Sequence, residues 1–505
     1  MSSLLERYSS KIFGVLSCFD RIVITGTVPG WCHARGMEQY LASQGVMFFD
    51  YAQQFAEPLR DEIRANAESV AAAAGISIEF IRRVHSFRKE DRIQAILAER
   101  GKHSGLVHIF SAMETCPAYT AWFDKPSGKT TLKRKDAKCL HYYFYFIDEE
   151  FGLCYLRVPT WAPFRLQFYC NGHAWLANRL RAEQIDFTPL DNTFLTIANI
   201  NRAQELADSF PVDRLHRALD AFTKRYCPAI GKAPESCHWS IMQAEYATDL
   251  IFKRREDLQP LYESLIRTAM HTIKPEQVAM FLGKKLDGRT TAELGSDFRT
   301  RAQGTCLKHY LGWAAIKMYD KLGIVLRIET TINDVSELKH YRTVEHRNGT
   351  TENKYAPMQK TIYSLSPLRD LLRAANQRYL DFLSSLDDSS DGQRKLGQLS
   401  QRRQTKGRSF RGFNLFEQNE LNGLMALLRG QACVTGITNR LIRSVLTGRT
   451  SSQISYFLKR CRVFGLLRKC AKANKYYLTK LGRQTLIAAR KIQEFVIIPT
   501  LAAQP

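Results

Sequence analysis

Apolar residues recur along this chain in two spacings, and the changes between them mark its regions. Between residues 1 and 210 the run Arg21-Ile22-Val23-Ile24-Thr25-Gly26-Thr27, closed by Pro29-Gly30, reads as a strand. Helical spacing follows at Met37–Gln44, Gln54–Ala74 and Glu90–Arg100. Short apolar runs at Leu106–Phe110, His141–Ile147, Leu153–Val158 and Gln167–Cys170 predict further strands, with turns at Asp148–Gly152 and Asn171-Gly172. A polar basic loop, Lys125 to Lys135, is expected between the first two of these. Together these elements predict an N-terminal α/β domain over 1–210.

From Pro211 the pattern turns helical, at Val212–Arg225 and Pro260–Thr272, around a β-like segment Cys237–Phe252 and a hairpin between Cys306 and Ile332. This predicts a central α+β domain over 211–350. A long helix, Leu368–Leu386, and a basic linker that includes Gln401–Arg408 occupy 351–410. The remainder, 411–505, shows helices at Glu417–Leu428, Ile437–Val445 and Ser452–Phe464, strands at Leu466–Cys470 and Lys475–Leu478, and a returning helix Leu481–Phe495. No repeat with a period of roughly 20 to 50 residues is present.

Composition narrows the partner. The 505 residues are 45% apolar and 24% charged, ordinary globular proportions that exclude collagen-like, coiled-coil and wholly disordered chains. A formal charge of +24 implies a polyanion, because each phosphate neutralised by Lys or Arg releases a counterion. Residues 401–505 hold 20 Lys and Arg against 3 Asp and Glu, so the charge is concentrated at the C-terminal end. Nucleic acid is the expected partner, DNA before RNA. No apolar run approaches the length of a membrane span, and Glu6 and Arg7 precede any apolar stretch, so a cytoplasmic protein with no membrane partner is expected. The 12 cysteines form no CxxC pair, which excludes zinc-ribbon and thioredoxin-like chemistry and fits buried free thiols. Pro126-Ser127-Gly128-Lys129-Thr130 lacks the first glycine and leading strand of a phosphate-binding loop.

The most chemically suggestive stretch is Ile316-Lys317-Met318-Tyr319-Asp320-Lys321, a turn at Leu322-Gly323, then Val325-Leu326-Arg327-Ile328-Glu329. Strand alternation places Lys317 and Tyr319 on one face and presents Arg327 together with Glu329, leaving Leu326 and Ile328 for the core. This hairpin resembles that of the tyrosine-dependent replication initiators of rolling-circle plasmids and filamentous phages. The resemblance implies Asp320 or Glu329 as a metal ligand, with Glu245 or Asp249 as a second carboxylate, for Mg²⁺ or Mn²⁺. It implies a tyrosine nucleophile, with Tyr319, Tyr341 and Tyr310 all candidates and Lys317 and Arg327 beside it. The His-hydrophobic-His motif of the wider nicking superfamily is absent, so a metal would rest on carboxylates, alone or with His309.

Two further segments suggest nucleic-acid contact. Tyr143 and Tyr145 share a strand face next to Lys133, Arg134 and Lys135, a stacking platform with a basic rim. Three helices followed by a two-stranded ribbon is the winged-helix order, and the segment from Thr450 to Arg483 resembles winged-helix regulators of the MarR type. By that resemblance Arg449, Ser452, Gln453, Tyr456, Lys459 and Arg460 face DNA, and Lys472 and Lys475 sit at the wing. The expected protein is therefore a nucleic-acid-binding, metal-assisted nicking or replication-initiating protein of a mobile element. A non-enzymatic regulator or RNA-binding protein is the alternative.

Overall fold

A computed structural model of the chain describes every residue except 1–3, 83–86, 102, 285, 287–292, 302–303, 388, 406, 429–435, 471–473, 499–501 and 503–505. The chain divides into two compact units, Met1–Asp387 and Asp388–Pro505.

The first unit is mixed α/β. Its strands are β1 (Ile12–Thr27), β2 (Ile78–Phe80), β3 (Gly105–Asp124), β4 (Lys129–Asp148), β5 (Gly152–Pro159) and β6 (Arg165–Cys170). A short hairpin, β7 (Phe187–Pro189) and β8 (Phe194–Ile197), follows. Then come β9 (His238–Phe252), β10 (Leu294–Arg301), β11 (Gly304–Leu311), β12 (Ala314–Lys321) and β13 (Val325–Ile332). Eleven of these form one sheet in the order β10-β11-β12-β13-β9-β1-β6-β5-β4-β3-β2, with β7 and β8 apart.

That order contains an internal symmetry. β1 is followed by helices and then a meander, β3 to β6, that returns to pair with β1. β9 is likewise followed by helices and a meander, β10 to β13, that returns to pair with β9. The two first strands lie antiparallel at the centre, from Ile12 opposite Phe252 to Thr27 opposite His238. The expected domain boundary at 210 and 211 thus falls inside one continuous sheet. The halves run Ile12–Cys170 and His238–Ile332, both too long for a search at shorter periods to detect.

Both faces of the aromatic strand β4 are covered. Phe144 and Phe146 enter the main core, where they stack on Tyr226 of the helix Val212–Tyr226. Tyr143 and Tyr145 enter a smaller cluster with Ile93, Ile96 and Leu97 of the helix Lys89–Arg100. This corrects the expected stacking platform: Tyr143 is buried and donates its hydroxyl to Glu114. Lys133, Arg134 and Lys135 are exposed but lie within β4, which pairs with β3 down to Asp124 opposite Lys129, so the expected basic loop shrinks to a turn.

Behind the centre of the sheet runs the helix Leu365–Asp387. Its buried Asn376 donates to the carbonyl of Tyr246 and to Thr248 Oγ1, and Thr330 donates to Asn376 Oδ1, so one side chain ties β9 to β13. The second unit opens with the helix Ser389–Ser400 and a small hairpin, Arg403–Thr405 with Arg408–Phe410, where a linker was expected. Helices Gln418–Ala426, Asn439–Val445 and Ser451–Val463 follow, then the ribbon Leu467–Lys469 and Tyr476–Leu478, then the helix Lys480–Ile492. Thr438, Thr450 and Thr479 accept the first free amide protons of three of these helices, which is why each begins where it does. Leu424, Leu427, Ile442, Ile454, Phe457, Leu458, Cys461 and Leu486 form its core.

Candidate metal centre

The register across the sheet assembles a polar patch from four strands. Lys317 of β12 lies opposite Glu329 of β13, which lies opposite Ala247 of β9. One row away Tyr319, Arg327 and Asp249 align, and on the other side Thr331, Glu245 and Arg21 do. Directly opposed residues share a face, so Lys317, Tyr319, Arg327, Glu329, Thr331, Glu245, Asp249 and Arg21 project together. β1 adds one more group: its pairing jumps from Phe19 opposite Tyr246 to Arg21 opposite Glu245, a bulge that leaves Asp20 unpaired. β6 pairs with β1 only over Ile22–Thr27, and the helix Gly172–Ala182 continues from its end and packs against β1. Gly172 permits this approach, since a Cβ there would lie 2.3 Å from the carbonyl oxygen of Phe19. The first turn of that helix carries His173.

Carboxylate oxygens of Asp20, Glu245 and Glu329 all lie within 4.8 Å of one another. Two oxygens on opposite sides of a hard divalent cation are separated by about 4 to 5 Å, so these three carboxylates could hold one Mg²⁺ or Mn²⁺ ion. Glu329, 2% exposed, accepts from Lys317 Nζ at 2.6 Å on Oε1 and from the Tyr319 hydroxyl at 2.7 Å on Oε2. Lys317 also stands 3.9 Å from Glu245. Burial, and next the charge of Glu329, push the Tyr319 phenol well above its ordinary value. Burial opposes the charge on Lys317, but the two glutamates override it and raise its pKa.

Beside this group lies an ion network. Arg327, fully buried, forks onto Asp249, with Nε 2.6 Å from Oδ1 and Nη2 2.7 Å from Oδ2, and its Nη1 is 3.4 Å from Asp20. His173 lies 3.2 Å from Asp20 and 3.9 Å from Asp249. Asn192, from the β7–β8 turn, donates to Asp20 at 2.5 Å, and Thr193 donates to Asp249. Burial opposes ionisation of Asp20, yet Arg327, His173 and Lys321 together outweigh it and hold the carboxyl well below the ordinary carboxylate range.

Of the carboxylates that the sequence suggested, Glu245 and Glu329 meet in this cluster. Asp249 is engaged by Arg327 in the neighbouring row. Asp320 points to the opposite face and accepts the Thr305 amide proton, because alternation separates it from Tyr319. His309 is buried against Tyr379 and Ser296, away from the carboxylates, and burial lowers its pKa to about 4. Among the tyrosines only Tyr319 touches the cluster; Tyr341 is 71% exposed on a separate hairpin, and Tyr310 packs over Gly295. In the sequence Asp20-Arg21 and Asn171-Gly172-His173 read as polar groups at strand ends, with turn and cap duties the commoner reading, and Asn192 was missed. The signal for Asp20 was an adjacent Asp20-Arg21 pair inside an apolar run that extends back to Ile12.

In the second unit Ser452, Gln453 and Tyr456 are exposed on one side of the helix Ser451–Val463, with Lys459 half-buried and Lys475 exposed. Arg460 does not join them: it turns inward, bonding Glu420 at 2.7 Å and the carbonyls of Arg411 and Gly412, over the ring of Phe413. Arg449 is likewise spent internally, on the Asn419 carbonyl and the Phe457 ring. Lys472 lies outside the described residues.

Glu245 supplies a test of the cluster. Burial, and next the charge of Glu329, push its carboxyl up to about 7. A carboxyl that binds its proton more tightly folded than unfolded stabilises at low pH, and that contribution is lost as pH rises from the ordinary carboxylate value through about 7. Wild-type protein should therefore lose melting temperature between about pH 5 and pH 8 relative to Glu245→Gln. Added Mn²⁺ should restore it more at the higher pH, where the cation no longer competes with the proton. Thermal melts across a pH series check this; identical pH profiles and Mn²⁺ shifts in the two proteins would contradict it.

Comparison of the chain with protein-family models, with characterised proteins and with solved structures returns no match.

Proposed function

We propose that this is a DNA-directed, metal-dependent nicking protein of the replication-initiator kind, serving a mobile or self-replicating element. The observation that carries the reading is the convergence of Asp20, Glu245 and Glu329 with a tyrosine hydroxyl 2.7 Å from one of them. A divalent cation held by these carboxylates would neutralise charge on the scissile phosphate and favour the Tyr319 phenolate. Glu329, already accepting the phenolic proton, is placed to receive it as the Tyr319 oxygen attacks phosphorus. The phosphorus–oxygen bond to the leaving strand breaks, the released oxygen takes a proton from solvent water to leave as a hydroxyl, and a phosphotyrosyl ester remains. Lys317 supplies a second positive charge next to the developing anion.

The second unit would bring the first to its target. It holds 22 Lys and Arg against 5 Asp and Glu, and its helix order and capped helix Ser451–Val463, with Ser452, Gln453 and Tyr456 exposed, support a winged-helix grip on a duplex.

The Lys317–Glu329 ion pair favours a second reading, in which the patch is a balanced internal network and the protein only binds nucleic acid, as a regulator or within an RNA–protein particle. Incubating the purified chain with single-stranded DNA and Mn²⁺ or Mg²⁺ separates the two. Nicked product and a protein–DNA adduct that survives denaturation are expected, with the adduct on Tyr319 by mass spectrometry. Salt-sensitive binding with no cleavage under any divalent ion selects the second reading.

A further inference from the structure

A cavity of about 680 Å³ opens between the helix Lys89–Arg100 and the β7–β8 hairpin. Tyr145, Tyr155 and Tyr169 line it, one from each of β4, β5 and β6. Tyr145 lies opposite Tyr155, and Tyr155 opposite Tyr169, so the three rings share a face of the sheet as a ladder. Tyr155 and Tyr169 are stacked, 5.2 Å apart and inclined by 12°. The next residue along that row is Val23 of β1, two positions from Arg21, whose guanidinium lies 5.4 Å over the Tyr169 ring.

The cavity is also lined by His173, Asn192 and Thr193, which join Arg327 in holding Asp20 and Asp249. Asn192 Nδ2 is committed to Asp20, while its Oδ1, shielded from solvent, has no hydrogen-bond partner. A buried acceptor without a partner is costly unless a ligand satisfies it. The cavity is therefore lined both by an aromatic ladder and by His173 and Asn192, which contact Asp20 of the carboxylate cluster.

We infer that the cavity holds a single unpaired nucleotide, its base against the stacked Tyr155–Tyr169 pair and its phosphate toward His173 and Asn192, beside the carboxylate cluster. A cavity of this volume is of ligand size, and every base has a π-face for a sequence-tolerant aromatic platform. The Arg21 charge bridges the ladder and the carboxylates, since it lies over the Tyr169 ring and opposite Glu245. The inference rests on the nicking reading for what becomes of the phosphate, but base capture itself does not require cleavage. A duplex cannot present a base this way without extruding it, so single-stranded substrate is preferred.

The nucleotide can come from a strand or be free in solution, and photocrosslinking of the full chain separates these. An oligonucleotide carrying one 5-iodouracil and a free azido-purine nucleoside triphosphate are each irradiated with the protein in Mn²⁺, and adducts are mapped by mass spectrometry. Attachment of the oligonucleotide to Tyr155 or Tyr169 is expected, with Tyr169→Leu weakening single-strand affinity about tenfold and Tyr169→Phe retaining it. Labelling of the same tyrosines by the triphosphate alone assigns the site to free nucleotides. Adducts confined to the second unit with both probes overturn the inference. Adducts at the ladder without any strand cleavage keep it and overturn the nicking chemistry instead.

Discussion

On the proposed nicking reading, Glu329→Gln is expected to remove strand cleavage and to leave nucleic-acid affinity unchanged. The substitution keeps the shape of the side chain and deletes its charge. Two consequences act on the same step: the cluster loses one of three charged donors, and the Tyr319 phenol loses its proton acceptor. Loss of about 4 kcal/mol of transition-state stabilisation corresponds to roughly a thousandfold in rate, the scale for removing one preorganised charge contact. Binding should be spared, since on that reading phosphates would be gripped by Lys and Arg side chains, most of whose excess lies after residue 400. Single-turnover cleavage of a labelled strand, with affinity measured on the same preparation by filter binding, checks both halves. A variant that cleaves at the wild-type rate removes Glu329 from the chemistry. Equal losses of cleavage and binding would make it a purely structural residue.

The largest effect on stability is expected at Arg327. Arg327→Met leaves Asp249 and Asp20 buried beside no guanidinium, and breaking one partner out of a buried ion network costs about 3 to 5 kcal/mol. The sign of its pH dependence follows from Asp20, whose carboxyl is held below its ordinary value against the cost of burial by Arg327 together with His173 and Lys321. A depressed carboxyl contributes stability above its unfolded pKa and loses it as pH falls toward the folded one. The deficit of Arg327→Met is therefore complete at neutral pH and shrinks as the solution is acidified through the ordinary carboxylate range, about pH 4. Adding Asp249→Asn should recover part of the loss, since the remaining charge is then smaller. Urea unfolding of wild type, single and double variants at two pH values reads these terms. A single variant as stable as wild type at neutral pH would show that the network carries no net stabilisation.

Much of the local geometry was legible without coordinates, and the reason is that it is local. Lys317, Tyr319, Arg327 and Glu329 come from two strands joined by the tight turn at Leu322 and Gly323, which have φ values of 54° and 72°. Once that turn is set, alternation alone puts the four side chains on one face. Pairing with β9 was less accessible, because more than 70 residues separate Asp249 from Arg327. Tyr143 and Tyr145 failed as an exposed platform for a related reason. Alternation correctly separated them from Phe144 and Phe146, but whether a second helix would cover their face depended on Ile93, Ile96 and Leu97, which lie in a distant helix. Arg460 looked like a DNA-facing cation in the sequence, yet the acidic partner that turns it inward, Glu420, is 40 residues away.

The sequence by itself determined the concentration of positive charge after residue 400, the helix–helix–helix–ribbon order there, and the polar face of the β12–β13 hairpin. These follow from composition, capping residues and strand periodicity, each a property of a short stretch of chain. Only the tertiary structure decided that the hairpin would meet Asp20 and Glu245, with the tyrosine ladder on the same sheet. That meeting depends on β1 lying antiparallel to β9 across more than 200 residues of intervening chain, and on a one-residue bulge that leaves Asp20 unpaired. Long-range pairing is selected by burial of the whole sheet rather than by any local pattern, which is why a carboxylate in an apolar strand acquires its chemistry only when the sheet closes.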